Sequence, residues 1–263
     1  MASTPLVRDY ADSTVLIAGG SSGVGLASAH AFGAAGVRRI ALLARNQERG
    51  EAAMTEVADR CPDARVMFVA TDANDPAQVA SAVAEVHAAF GTVDVLVSSV
   101  TGAYSPELLH RTDPGDISAI LTTMALPPML HTRAVLPIMS EQGGGSIVNI
   151  ASDAAKVATP GESVLGAAMA AIVMFSRTTA IEAKRNGIRV NAVTPSLIAG
   201  TDTARRVLAD GFSKGLFEKA AAQAHLGVAE ADDLASLVVF LGGPGAARLT
   251  GQAISVNGGI SAA

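Results

Sequence analysis

The segment Thr14-Val-Leu-Ile-Ala18 runs into Gly19-Gly-Ser-Ser-Gly23-Val-Gly25 and then into Leu26-Ala-Ser-Ala-His30, and the architecture of the chain can be read outward from this junction. The first part is a short aliphatic and β-branched run, and the last is Ala-rich with helical spacing. Between them Gly19, Gly23 and Gly25 are spaced G-x-x-x-G-x-G. Glycines at such a turn permit a positive φ, let the backbone approach a pyrophosphate and let the helix pack closely on the strand. The helix N-terminus then offers unpaired N–H donors to anionic oxygens. Because the turn follows an apolar strand and opens a helix, it reads as a dinucleotide-binding turn with Gly19, Ser21, Ser22, Gly23, Val24 and Gly25 as its contacts. The plainer alternative is a flexible turn with ordinary glycines.

The end of the next strand bears on which nucleotide is bound. An acidic residue about 20 positions past the glycines would hold a ribose 2′-hydroxyl. The segment instead reads Leu43-Ala44-Arg45-Asn46, with Arg45 20 residues beyond Gly25. A guanidinium suits a 2′-phosphate in charge and fork geometry, and Ala44 removes the carboxylate that would repel one. NADP(H) is therefore expected in preference to NAD(H), against the reading of Arg45 as a solvated surface residue. Asp72 and Ala73, after the third strand, are the candidates for the adenine edge, although Asp72 would serve equally as a cap for the next helix.

Further along, short aliphatic runs alternate with longer Ala-rich stretches, the signature of repeated βα units. Strands are expected at Thr14 to Ala18, Arg39 to Ala44, Arg65 to Ala70, Val93 to Ser98, Ser146 to Ala151, Arg189 to Thr194 and Gln252 to Val256. Helices are expected near 23–35, 47–60, 75–90, 115–140, 162–186 and 230–241. Near-continuous apolar strands imply a parallel sheet buried on both faces. Nothing marks a second domain, so residues 1–263 are expected to form one. The stretch from Ser196 to Leu226 is long for a loop, and such segments are usually functional or carry small helices of their own.

Composition narrows the classes. Apolar residues make up 49% of the 263, which excludes a disordered chain. The central apolar run Gly166 to Phe175 is ten residues, too short to cross a bilayer, and no membrane span is expected. The N-terminus lacks a basic-then-apolar signal pattern and the single cysteine, Cys61, has no partner within the chain, so a cytoplasmic protein is expected. A net charge of −5 with dispersed basic residues and 3% aromatics disfavours nucleic acid as a partner. The five histidines, His30, His87, His110, His131 and His225, show no ligand spacing, and no metal is expected.

The chain resembles a short-chain dehydrogenase/reductase of the single-domain, roughly 250-residue branch. The resemblance rests on the glycine turn, Val93-Asp-Val-Leu-Val97, Gly145-Ser-Ile-Val-Asn-Ile-Ala-Ser152, Gly187-Ile-Arg-Val-Asn-Ala-Val-Thr-Pro195 and Leu249-Thr-Gly-Gln-Ala-Ile-Ser-Val-Asn-Gly-Gly259, in the family's order and spacing. It implies an α/β fold, a doubly wound (Rossmann) seven-stranded parallel sheet with helices on both faces. It also implies a nicotinamide cofactor, a small-molecule substrate and a homotetramer or homodimer. Ser98 and Pro195 fall at strand ends that the resemblance assigns to the cofactor.

Family members usually rely on an Asn in the long fourth helix, a Ser after the fifth strand and Tyr-x-x-x-Lys on the next helix. Ser152 matches the Ser, but the Tyr and Lys positions fall on Leu165 and Met169 and the Asn position on Met124, with Thr122 and Thr123 beside it. Neither tyrosine rescues the pair, since the residues four beyond Tyr10 and Tyr104 are Thr14 and Leu108. A positioned general acid contributes roughly 10² to 10⁴ in rate. Three readings follow: an atypical reductase, with Ser152, Asp153 or Tyr104 as substitute donors; a non-redox enzyme or binding module; and an inactive partner of an intact relative. Ser152-x-x-x-Lys156 is a weak candidate for a Ser-Lys nucleophile. Met124, Met129, Met139, Met169 and Met174 are candidates to line an apolar pocket, against the commoner use as core filler.

Overall fold

The structure, a computed structural model, describes residues 6–209 and 211–263. The strands are β1 (Thr14–Ala18), β2 (Arg39–Ala44), β3 (Arg65–Ala70), β4 (Val95–Ser98), β5 (Gly145–Ile150), β6 (Ile188–Pro195), β7 (Ile198–Ala199), β8 (Ala229–Glu230) and β9 (Ala253–Val256). Seven of them form one parallel sheet in the order β3-β2-β1-β4-β5-β6-β9, while β7 and β8 pair separately. The helices are α1 (Gly23–Ala34), α2 (Gln47–Arg60), α3 (Pro76–Phe90), α4 (Pro114–Glu141), α5 (Ser163–Ala183), α6 (Asp202–Val207), α7 (Gly211–Gln223) and α8 (Ala231–Gly242).

Alternation along the strands sorts the helices into layers. Val15 and Ile17 of β1 pack with Phe32 of α1, Val57 of α2 and Val238 of α8 on one face. Leu16, pointing the other way, packs with Val86 of α3, Met139 of α4 and Ala180 of α5. All five residues of β1 are buried, as its unbroken apolar run requires. The strand order reverses between β1 and β4, so a crevice opens at the carboxyl ends of these strands, where open α/β sheets place ligands.

Local chemistry starts the helices. Asn46 accepts from the Arg49 amide to open α2, Asp75 from the Ala77 and Gln78 amides to open α3, and Asp113 from the Gly115 amide to open α4. Pro76 and Pro114 occupy the first helical positions, where a missing N–H costs nothing. Pro127 and Pro128 sit inside α4, and without their N–H groups the Thr123 and Met124 carbonyls lose their usual helical partners.

Several boundaries differ from expectation. β4 begins at Val95 because Asp94 ahead of it is bound at its carboxylate by the Thr14 amide, the Thr92 hydroxyl and Arg8. The long stretch after β6 carries α6 and α7, gathered around Leu197, Ala204 and Val207 with Phe217 packed against them. The reading of α5 from its ten-residue apolar run is corrected. By length and composition Ser163–Asn186 could cross a membrane, with a mean hydropathy of 1.6, because its Ser, Thr and Ala residues interrupt the run without making the helix polar. Its buried face packs on α4 and β6, as a core helix would, and Met174 and Ile181 are exposed on the other side.

Candidate active site

A single cavity of about 1850 Å³ runs along the carboxyl ends of the strands, from the β1–α1 turn to the α6–α7 segment. At one end the backbone builds a cradle. Gly19 has φ +80°, and a Cβ there would lie 2.6 Å from the Ser99 carbonyl oxygen. Gly25 does not line the cavity; a Cβ at this position would strike the Gly19 carbonyl, so its expected ligand contact is corrected to a packing role. Gly23, at φ +51°, would project a Cβ into space bounded only by the Thr201 methyl at 3.9 Å. Ser22 caps α1 without a side-chain bond, which leaves the first N–H groups of the helix free to face an anion beside Ser21 and Val24.

Arg45 lines the same end, exposed, and among the described residues no carboxylate lies within ion-pairing distance of it. Its neighbour Arg49, missed in the sequence, also lines the cavity and pairs with Asp202 at 3.2 Å. Two expected contacts are reassigned. The Asp72 carboxylate turns back to accept from the Asn74 amide (3.0 Å), and the wall here is Thr71, Ala73 and Asn74. Ser98, the last residue of β4, is buried, and its place on the wall is taken by Ser99 and Val100 just beyond the strand end. Pro195, at the end of β6, lines the cavity.

The other end is built from side chains. Ser152 follows β5, and its Oγ accepts from the Ala154 amide at 3.2 Å, while its hydroxyl proton has no acceptor among the described residues. Leu165 and Met169 of α5 and Met124 of α4 line the cavity, as does Thr123. Met139 is core and Met174 is exposed, so the methionine wall reduces to Met124 and Met169.

Two expected proton donors have other partners. The Asp153 carboxylate, buried, accepts from the Ser255 and Ser261 hydroxyls (both 2.8 Å) and from the Asn257 amide, tying the turn after β5 to the C-terminal segment. Lys156 binds the Ser255 hydroxyl and the Ala263 main-chain oxygen, both at 2.6 Å, and does not reach Ser152, which removes the Ser-Lys pair. The Tyr104 hydroxyl donates to the Gly161 carbonyl at 2.6 Å, and burial raises its pKa, so its proton is committed.

Two titratable groups were not singled out in the sequence. Glu162, just ahead of α5, lines the cavity, is 8% exposed and has its pKa pushed up to about 7 by burial, opposed by the nearby Thr159 hydroxyl. His131 of α4, fully buried, bonds the Pro127 carbonyl through Nδ1 at 2.7 Å. That contact puts the ring proton on Nδ1, burial keeps the ring neutral, and Nε2 is left as an acceptor without a partner among the described residues.

A nucleotide-binding crevice at the switch point of a doubly wound sheet, with a serine after β5, defines a class of nicotinamide-dependent oxidoreductases. The chain belongs to the short-chain dehydrogenase/reductase family and is an oxidoreductase of that family: residues 18–261 match the family model described as enoyl-(acyl carrier protein) reductase. It is 33% identical to 2-(R)-hydroxypropyl-CoM dehydrogenase of Xanthobacter autotrophicus, over 94% of this chain and 98% of that protein. It is 30% identical to a 3-oxoacyl-[acyl-carrier-protein] reductase of Escherichia coli, over 93% and 96%. The crystal structure of levodione reductase superposes with a TM-score of 0.88 at 28% identity, covering 94% of this chain and 97% of that one.

Proposed function

We propose that this chain is an NADP(H)-dependent oxidoreductase with a rebuilt proton-handling site, acting on an apolar small molecule that carries a C=O, C=N or activated C=C bond. The observation that carries this reading is the continuity of one cavity from the open cradle at Gly23 and the unpaired Arg45 to Ser152, Leu165 and Met169. The cradle fits a dinucleotide, since a side chain at Gly23 would fill the space a pyrophosphate needs. When bound, the nicotinamide supplies or accepts a hydride.

The chain's own residues do the rest. The N-terminus of α1 with Ser21, Ser22 and Val24 holds the phosphates, and Arg45 holds a 2′-phosphate through charge and forked hydrogen bonds. Ala73 and Pro195 form the walls beside the nucleotide. Ser152 donates a hydrogen bond to the substrate heteroatom and polarises it. Met124, Leu165 and Met169 exclude water and select an apolar substrate body. Leu165 and Met169 occupy the places where the resembling family carries Tyr and Lys, so the usual proton route is absent. We further infer one domain over residues 1–263, a cytoplasmic location and a homo-oligomer, dimer or tetramer; exposed Met174 and Ile181 on α5 support assembly of copies.

Titration of the purified protein with NADPH and NADH, followed by nicotinamide fluorescence with Arg45→Ala in parallel, tests the reading. Micromolar NADPH binding that weakens in the variant supports it, and failure to bind either nucleotide overturns it. A second reading, a ligand-binding or inactive partner protein on the same scaffold, is favoured by the apolar Leu165 and Met169. Binding of NADPH without any turnover is the result it requires.

A further inference from the structure

The oxidoreductase reading leaves one atom unaccounted for: the proton that must reach the substrate heteroatom once the carbon has taken a hydride. We propose that the carboxyl of Glu162 is the proton donor of this cavity, a catalytic residue that replaces the tyrosine absent at Leu165. This inference rests on the oxidoreductase reading and adds a residue to it.

Placement is the first ground. Glu162, Leu165 and Met169 recur at i, i+3 and i+7 on one stripe at the start of α5, and all three line the cavity. Glu162, one turn before Leu165, therefore borders the same space as Ser152. Availability is the second. The Tyr104 proton is committed to the Gly161 carbonyl and the Asp153 carboxylate is held by Ser255, Asn257 and Ser261. Among the described residues no cation pairs with Glu162. Its polar neighbour is the Thr159 hydroxyl, which lies in the same turn. Besides Arg45, Arg49 and Asp202, the titratable and charged groups that line the cavity with Glu162 are Tyr104, Glu107 and Arg111 from the segment after β4, Asp113, Asp116 and His131 from α4 and its cap, Asp153 from the turn after β5, Arg205 and Arg206 from α6 and Lys219 from α7. Tyr104 and Glu107 do not neutralise a carboxylate, and Arg206 is directed to the Tyr104 carbonyl.

Burial supplies the third ground. It raises the Glu162 pKa to about 7, so the carboxyl holds its proton at neutral pH and can release it there. The step balances as follows. The electrophilic carbon gains a hydride, the π pair of the C=O or C=N bond moves onto the heteroatom, and that atom takes the Glu162 proton. The carboxylate left behind regains a proton from solvent through the open cavity. Oxidation runs the same transfers in reverse, with the carboxylate as base.

The test begins without turnover. Carbon NMR of nucleotide-free protein labelled at the glutamate carboxyl, with E162Q identifying the resonance, is expected to give a midpoint near 7. A midpoint with the ordinary glutamates near ~4.3 overturns the proposal. Rates are then read across pH with a panel of ketones, imines and enones. E162Q is expected to lose roughly 10² to 10⁴-fold in kcat and to lose the pH limb near 7, with NADPH affinity unchanged and partial recovery in E162D. An E162Q enzyme with the wild-type rate and limb overturns the proposal alone. If wild type binds no NADPH or turns over no substrate, the oxidoreductase reading itself fails and Glu162 loses this role with it. Melting curves and the E162D variant separate loss of folding from loss of the donor.

Discussion

At the nucleotide end of the cavity the working parts are backbone: the positive φ of Gly19 and Gly23, the close approach of Gly25 to Gly19 and the open N-terminus of α1. At the substrate end they are side chains hung on α4 and α5. On the proposed reading, the difference explains why one end keeps the family's pattern while the other departs from it. A backbone cradle is inseparable from how β1 meets α1, so losing it would cost the fold. Leu165 and Met169, by contrast, join the apolar seam between α4 and α5 with Ile120, Met124 and Ala168. Replacing polar groups there by aliphatic ones removes a desolvation cost, so the scaffold accepts the change.

The strongest way to break the contrast is to install the Tyr and Lys that the proposed reading holds to be absent. In the E162Q background, Leu165→Tyr with Met169→Lys is expected to raise ketone reduction by roughly 10² to 10⁴-fold, measured as kcat against E162Q alone. No gain would mean that the difference between the two ends lies elsewhere than in these side chains.

The substrate end also carries a stability signature. A carboxyl whose pKa rises from 4.5 to about 7 on folding stabilises the folded state while it stays protonated. The contribution is complete below pH 4.5 and is lost as pH rises through 7. Denaturant unfolding of wild type should therefore weaken over this window by about 3 kcal/mol relative to E162Q, in which the dependence disappears.

At the other end, Gly25→Val should weaken NADPH binding on the order of 10²-fold or more, because its Cβ would strike main chain that cannot move aside. Leu165→Ala should leave that affinity almost unchanged. Among losses of NADPH affinity the smaller is that of Arg45→Ala, roughly tenfold or somewhat more for NADPH and little for NADH, from one set of charge-assisted hydrogen bonds.

The sequence made the cradle end and the sheet readable because both are local. Glycine spacing reports a turn directly, and the aliphatic runs of β1 and β2 report burial on two faces. Contacts that depend on side-chain direction were harder to read. Asp72 forms its own turn, Ser98 is buried at the end of β4 and Gly25 packs instead of binding, and each follows from burial or crowding that spacing alone does not carry. Glu162 was invisible for a related reason. An acidic residue before a helix reads as an ordinary N-terminal acid, and only its depth in the cavity sets it apart. Helices α6 and α7 lie in a stretch whose apolar residues gather only once the chain has folded back over the crevice.

The most direct measurement is a single turnover: NADPH bound to excess wild-type protein is mixed with an imine, an activated alkene and a ketone in turn, and its absorbance is followed. Consumption of NADPH with the imine or alkene, slower with the ketone, is the expected result, since a neutral carbonyl needs the most help from an acid. NADPH that binds at the cradle and is consumed by none of them would contradict a working reductase and leave the cavity a binding site alone.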